Sequence, residues 1–165
     1  MRAAFLAVVA DKGYERTSVS DILARANIGR TTFYAHFRNK QALLDSGLDG
    51  LRALLQAAAR QPSELLAFSL PLLEHAAAHR TLFQSLLRRR GGETVLGQLR
   101  GMVAELARAE LLGKVADLDA VVAYCVGSYF SLVSVWLGDP KPPLPAQIDA
   151  LFRRLTMPGL AAALR

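Results

Sequence analysis

At 165 residues, 52% apolar and 21% charged, the chain can hold one or two domains with a real core, and it is too apolar for global disorder. Its net charge of +6 permits an anionic partner, and its single cysteine, Cys125, excludes a disulfide framework or a cysteine-rich metal site. No secretory signal is expected, because Arg2 precedes only a short apolar run that Asp11 and Lys12 interrupt, so a cytoplasmic protein is the expectation.

The chain reads as helices throughout, and no period-two strand pattern runs for long. Gly13 follows AAFLAVVADK and marks the end of a first helix. Ser18-Val19-Ser20-Asp21 has the form of a capping box, with a hydroxyl for the amide three residues on and an acid that reaches back. Ile22, Leu23 and Ala26 give the second helix its apolar face, and Asn27 and Gly29, both tolerant of a left-handed backbone, break it after two turns. A third short helix is predicted from Arg30 to Phe37, and Asn39 caps a fourth from Lys40 to about Ala59. Gln61-Pro62-Ser63 is a boundary, with Ser63 and Glu64 opening a fifth helix that Pro71 should kink or break. Helical patterns continue over 80–90, 93–112, 117–138 and 145–164. Pro158-Gly159 should disturb the last of these, and the proline-rich stretch from Gly138 to Pro145 reads as a stiff spacer.

The segment Ala120–Gly138 has no charge and approaches the roughly 20 residues that span a bilayer. Asp117, Asp119 and Asp139 guard its ends, no Lys or Arg cluster marks a cytoplasmic side, and Ser128, Ser131 and Ser134 recur at intervals of three. A helix buried all round, inside a domain or between two subunits, is the better reading.

Two short helices joined by a tight turn with a glycine make a helix-turn-helix. In the third helix Phe33 and Phe37 share a face, and with Ile22 and Ile28 they form a small core. The opposite face presents Arg30, Thr31, Tyr34 and Ala35: a cation, a hydroxyl, a phenol and a methyl, groups suited to phosphate oxygens, base edges and thymine methyls. Gly29, Arg30 and Thr31 also lie at the helix start, where free amides favour an anion. Between Arg16 and Lys40 the bases Arg16, Arg25, Arg30, Arg38 and Lys40 face a single acid, Asp21.

Residues 1–50 resemble the DNA-binding domain of the TetR family of bacterial transcriptional regulators. The residues that carry the resemblance are Lys12-Gly13-Tyr14, Thr17-Ser18-Val19, Asp21-Ile22, Ala24, Ala26, Thr32-Phe33-Tyr34, His36-Phe37 and Lys40. The resemblance implies that Thr17 and Ser18 touch phosphate and that Arg30, Thr31, Thr32 and Ala35 sit where bases are read. It also implies that Tyr34 and His36 contact the DNA backbone and that Lys40 binds phosphate. Gly29 stands where the family usually has a capping serine, Ala35 is smaller than the usual reader, and Arg2 replaces an apolar residue. The chain begins inside the first helix, with no basic arm before it.

The expected architecture is therefore all-α: an N-terminal three-helix helix-turn-helix DNA-binding domain over 1–46, then a helical ligand-binding and dimerisation domain over 47–165. In the second half the resemblance is general, carried by phrases such as His79-Arg80-Thr81-Leu82-Phe83 and Leu151-Phe152-Arg153-Arg154-Leu155. The small residues Gly127, Ser128 and Ser131, with the stripe Ile148, Leu151, Phe152 and Leu155, would pair with a second copy in a four-helix interface. The resemblance also implies a pocket for a small, largely apolar effector. Phe68, Leu72, Phe83, Leu86, Met102, Leu106, Tyr124, Phe130 and Trp136 can line one, although apolar residues at helical spacing more often form core.

His75 and His79 share a helical face without a third ligand at a telling distance, so no metal and no cofactor are expected. Arg88-Arg89-Arg90 fits a solvated helix end, and Cys125 fits an inert core thiol. No paired carboxylates, Ser–His–Asp set or glycine-rich phosphate loop appears, so no enzymatic activity is expected. The function predicted is a homodimeric regulator, a repressor on a palindromic operator, released by a small apolar molecule. The alternative is a helical DNA-binding dimer that answers a protein partner or works without an effector.

Overall fold

The computed structural model describes residues 1–60, 65–88 and 92–164. Its helices, in chain order, are α1 (Arg2–Lys12), α2 (Val19–Ala26), α3 (Arg30–Tyr34), α4 (Lys40–Ala59), α5 (Ser69–Ala78), α6 (Arg80–Arg88), α7 (Glu93–Leu111), α8 (Leu118–Gly138) and α9 (Pro145–Ala163). Among the described residues there is no strand, only an isolated antiparallel bridge between Val115 and Leu164. The fold is all-α, as the sequence implies.

The helix ends follow local chemistry. Gly13 closes α1 at φ 83°, where its amide donates to the Val9 carbonyl at 2.8 Å, and a side chain there would be strained. Ser18 caps α2 and Asp21 completes the capping box. Asn27 ends α2 in the left-handed region at φ 51°. Gly29, in contrast, is extended at φ −77°, so the turn does not need its freedom. It is the N-cap of α3 with no side chain to give, and a Cβ built on it meets nothing within 4 Å. Gly29→Ser is therefore expected to stabilise the protein by about 0.5–1 kcal/mol, from a new cap and a less flexible unfolded chain. An unchanged or lower melting temperature would count against this.

Several predicted boundaries move. Helix α3 stops at Tyr34, and turn hydrogen bonds from His36 and Phe37 to the Phe33 carbonyl carry the chain to Phe37. The boundary at 61–63 and the proposed helix start at Ser63-Glu64 lie outside the described residues. Residues 65–68 are turns, and α5 begins at Ser69. The first α5 hydrogen bond runs from the Leu72 amide to the Phe68 carbonyl, so Pro71 sits in the first turn, where an amide has no partner to lose. No kink is required. Helix α9 also runs unbroken through Pro158 and Gly159, both exposed, while Thr156 and Leu160 on either side are buried and hold it to the core.

The described chain forms two compact units, Met1–Ala53 with Thr81–Gly97, and Leu54–Arg80 with Gln98–Arg165. In the first, α1 packs on α2, Phe5, Val9, Ile22, Phe33 and Leu43 are buried, and Ser85 of α6 donates to the Ala10 carbonyl. In the second, α9 packs on α5 and α8, and Phe68, Tyr129, Phe130 and Phe152 stack edge to face around Tyr129. Helix α8 is long and apolar enough to cross a membrane by length and composition. It is not buried all round. Val122, Cys125, Val126, Tyr129, Phe130, Val133, Trp136 and Leu137 are buried, whereas Ala123, Tyr124, Gly127, Ser131 and Val135 remain exposed. A lone chain covers only one side of this helix.

A polar cluster lies inside the second unit. Leu66, buried and held at φ 58°, donates its amide to both carboxylate oxygens of Glu110 at 2.9 and 3.0 Å. Arg153 donates to the carbonyl of Leu65 at 3.1 Å and to Asp149 at 2.9 Å. Asp149 also accepts from the Ser69 hydroxyl, and Tyr129 donates to the Ser69 carbonyl at 2.8 Å. Burial raises the Glu110 carboxyl above its ordinary range, and the Leu66 amide works against that rise.

Candidate nucleic-acid interface

The first unit sorts the helix-turn-helix residues into buried and presented sets. Ile22 and Phe33 are fully buried, and Phe33 meets Phe37 at 6.0 Å and Tyr34 edge-on at 5.4 Å between ring centres. With Phe33 anchored in the core, the other side of α3 faces outward. Arg30, Thr31, Thr32, Tyr34, Ala35 and His36 are all exposed, Tyr34 to 55%. Arg16, Arg25 and Arg38 are exposed as well.

The one acid of this stretch is partly neutralised. Asp21 pairs with Lys12 at 2.5 Å and accepts from the Ser18 amide at 2.7 Å. The Lys12 ammonium, then Ser18, hold the Asp21 carboxyl far below its usual range. Because the folded value is depressed, the stabilisation is present above the ordinary carboxylate pKa and fades as the pH falls below it.

Three residues that resemblance assigns to phosphate are not equally free. Ser18 is exposed, but its hydroxyl serves the α2 cap. Thr17 is only 2% exposed, and its hydroxyl donates to the Gly13 carbonyl at 2.8 Å. Lys40 is half-buried, and its ammonium donates to the carbonyls of Tyr14 at 2.9 Å, Glu15 at 3.3 Å and Thr17 at 2.9 Å. The same ammonium lies 4.4 Å from the centre of the Tyr14 ring. Neither Lys40 on Tyr14 nor Lys12 on Asp21 was legible in sequence, since each partner lies across a turn or a helix pair.

Residues 2–46 match the family model described as bacterial regulatory proteins, tetR family. This amino-terminal segment belongs to the TetR family. No curated protein matches the chain. Among solved structures, a TetR transcriptional regulator from Streptococcus agalactiae is 18% identical with a TM-score of 0.67, covering 94% of this chain and 90% of that one. A TetR-family protein from Syntrophomonas wolfei is 17% identical with a TM-score of 0.72, at the same coverage of 94% and 90%. NalD of Pseudomonas aeruginosa, described as the secondary repressor of a multidrug efflux pump, is 19% identical with a TM-score of 0.69, covering 96% of this chain and 94% of NalD. At these identities the likeness establishes that the TetR fold extends over nearly the whole chain.

The second half of the TetR fold places its sequence candidates unevenly. Phe68, Leu72, Met102, Phe130 and Trp136 are buried in the second unit, Leu106 is half-buried and Tyr124 is exposed. Phe83 and Leu86 are buried but belong to the first unit. The polar tips of two buried aromatics are satisfied, Tyr129 on the Ser69 carbonyl and Trp136 on the Pro143 carbonyl at 2.9 Å. A groove of about 490 Å³ between α7 and α8 is lined by Arg100, Gly101, Val122, Val126, Gly127 and Phe130, with the Arg100 guanidinium 5.5 Å from the Phe130 ring centre. Of the interface candidates, Gly127, Ser131 and Leu155 are exposed, Ser128 and Leu151 half-buried, and Ile148 and Phe152 are taken up by the chain's own core.

His75 and His79 stand 4.6 Å apart between ring centres, and burial lowers the His75 pKa first, its neighbour second. Among the described residues no group of three metal-ligating side chains forms. Cys125 is buried, and burial pushes its thiol pKa up, which makes it a poor nucleophile. Arg89 and Arg90 lie outside the described residues.

Proposed function

We propose that this chain is a TetR-type transcriptional repressor that binds a palindromic DNA operator as a homodimer in the cytoplasm and is released by a small, largely apolar effector. The observation that carries the reading is the exposed row on α3. Arg30, Thr31, Thr32 and Tyr34 on α3, with Ala35 and His36 just after it, are exposed beside a buried Phe33, in a stretch from Arg16 to Lys40 whose cations outnumber its one acid. Arg30 and the two threonines suit base edges, Ala35 suits a thymine methyl, and Tyr34 and His36 suit the phosphate backbone.

The dimer reading is supported by the uncovered side of α8. Ala123, Gly127 and Ser131 are small enough for close helix approach, and Val135 at 75% and Leu155 at 62% exposure are apolar area that a second copy would bury. Two such helices from each copy make a four-helix interface, and a twofold axis sets two reading heads about one DNA turn apart. An effector that favours one spacing of the heads weakens operator binding by its differential affinity for the two states. The unbroken helix α4 is the expected lever. NalD is described as a repressor, which supports the sign of regulation here by analogy.

The test is selection of bound duplexes from a random DNA pool. A palindromic winner with half-sites about one turn apart is the expected result. A winner with one half-site would sink the dimer, and no enrichment at all would sink the DNA reading.

A further inference from the structure

The groove of about 490 Å³ between α7 and α8 lies within the second unit alone. That volume falls in the range of about 300–1,000 Å³ common to small-molecule sites. Its apolar side is made by Val122, Val126 and Phe130 of α8, all buried. Two glycines keep it open, since a Cβ built on Gly101 of α7 or Gly127 of α8 meets nothing within 4 Å. Among the described residues Arg100 of α7 is the one charged side chain on its lining, and no acid shares the lining with it. The Arg100 guanidinium lies 5.5 Å from the centre of the Phe130 ring, so an aromatic face holds it and not a carboxylate. Among the described residues no acceptor takes a hydrogen bond or an ion pair from it. Its fork of N–H donors is therefore unspent beside an apolar surface.

We infer that this groove binds an amphipathic organic anion, a monocarboxylate with a hydrocarbon chain or ring. The hydrocarbon body lies on Val122, Val126 and Phe130, where it removes apolar surface from water. The carboxylate offers two acceptors to two parallel N–H groups of Arg100. A cation of the same shape meets repulsion there, and a neutral alcohol leaves most of the fork to water. The inference narrows the effector of the proposed function from apolar molecules in general to apolar acids, and it rests on that reading for its regulatory half only. Gly127 also lies on the uncovered side of α8 proposed for a second copy, so a seated anion touches the helix that the dimer would use. Arg100 and Gly101 belong to α7, outside that proposed interface.

Decanoate, decan-1-ol and decylammonium share one hydrocarbon chain and differ in charge. Their binding to the full chain is measured by titration calorimetry and by melting temperature. Decanoate is expected to bind about tenfold more tightly than decan-1-ol and to raise the melting temperature as its concentration rises. Decylammonium is expected to bind more weakly than either. Arg100→Met keeps an apolar stem and should lower decanoate affinity about tenfold, to the level of the alcohol, with the affinity for decan-1-ol and the ligand-free melting temperature unchanged. Gly101→Leu, a change that favours a helix, should fill the groove and weaken both ligands. The inference is overturned if decanoate binds no better than decan-1-ol, or if Arg100→Met binds decanoate like the wild type. It is overturned too if decanoate does not bind and Gly101→Leu instead turns a dimer into a monomer by light scattering, for the groove then belongs to a second copy. Binding of the selected operator duplex with and without decanoate separates the two readings. Release of the duplex supports both. Binding through Arg100 without release leaves the site standing and takes the effector role from it, and if the wild-type chain binds no duplex, the DNA reading falls while the titrations still decide the groove.

Discussion

Arg153→Met is expected to destabilise the protein by about 2–4 kcal/mol, less than the loss of a fully buried partner because the pair keeps some contact with water. The side chains of Arg153 and Asp149 are 21% and 12% exposed and meet at 2.9 Å, one helical turn apart on α9. Methionine fills much of the volume but has no donor. Asp149, 8% exposed as a residue, keeps only the Ser69 hydroxyl among the partners described above, and an uncompensated buried charge is the main penalty. The carbonyl of Leu65 loses its donor at the same time. That loss falls on a turn already under strain, because Leu66 sits at φ 58°, a conformation that costs a branched apolar residue about 1–3 kcal/mol. Glycine would remove the strain but not replace Leu66, which is fully buried. The measurement is chemical denaturation. The midpoint should fall with an unchanged slope, since the same surface is exposed on unfolding. Thermal melting should drop by about 5–12 °C for a chain of this size. Replacing both partners, Arg153→Met with Asp149→Leu, should recover part of the loss, because no charge is then left alone. A single variant that melts within a degree of the wild type would show that the cluster contributes nothing net.

The second large effect falls on recognition. Arg30→Ala should relax sequence preference by about 1–3 kcal/mol, or roughly 5–150-fold between the selected operator and its best single-site variant. Arg30 is the first residue of α3, exposed, and set beside the amide-rich start of the helix. A guanidinium there can reach two acceptors on one guanine edge, which no neighbouring side chain of α3 can do. Thr31 and Thr32 are short, and Ala35 offers only a methyl. Stability should change little, since the residue is on the surface and alanine is a good helix former. Tyr34→Phe gives the contrast. Removing one hydroxyl from a backbone contact should weaken every sequence alike and leave the order of preference intact. An Arg30→Ala variant that ranks a panel of operator variants as the wild type does would end the assignment of Arg30 as a base reader.

The sequence by itself determined what depends on near neighbours along the chain. Gly13, the Ser18–Asp21 pair, Asn27 and Asn39 act within a few residues of themselves, and the structure places each at the helix end its chemistry implies. Helical period sets Phe33 apart from the face of Arg30, Thr31 and Tyr34, and the structure buries the first and exposes the other three. Residues 2–46 carry enough of such local detail to identify a family, and the helices that follow were readable in kind, if not always at their ends.

Tertiary structure decided whatever depends on a partner distant in sequence. Helical spacing grouped Ile148, Leu151, Phe152 and Leu155 into one stripe. It could not say that Ile148 and Phe152 pack into the chain's own core while Leu155 stays outside, because period reports a face and not what lies against it. Arg153 lies off that stripe, and nothing near it in sequence points to the carbonyls 87 and 88 residues away to which it donates. The resemblance assigns Thr17 and Lys40 to phosphate. In the folded chain their donors also satisfy backbone carbonyls of the α1–α2 turn, which the fold brings within reach of α4. A buried carbonyl must find a donor somewhere, and only the folded chain determines which side chain supplies it.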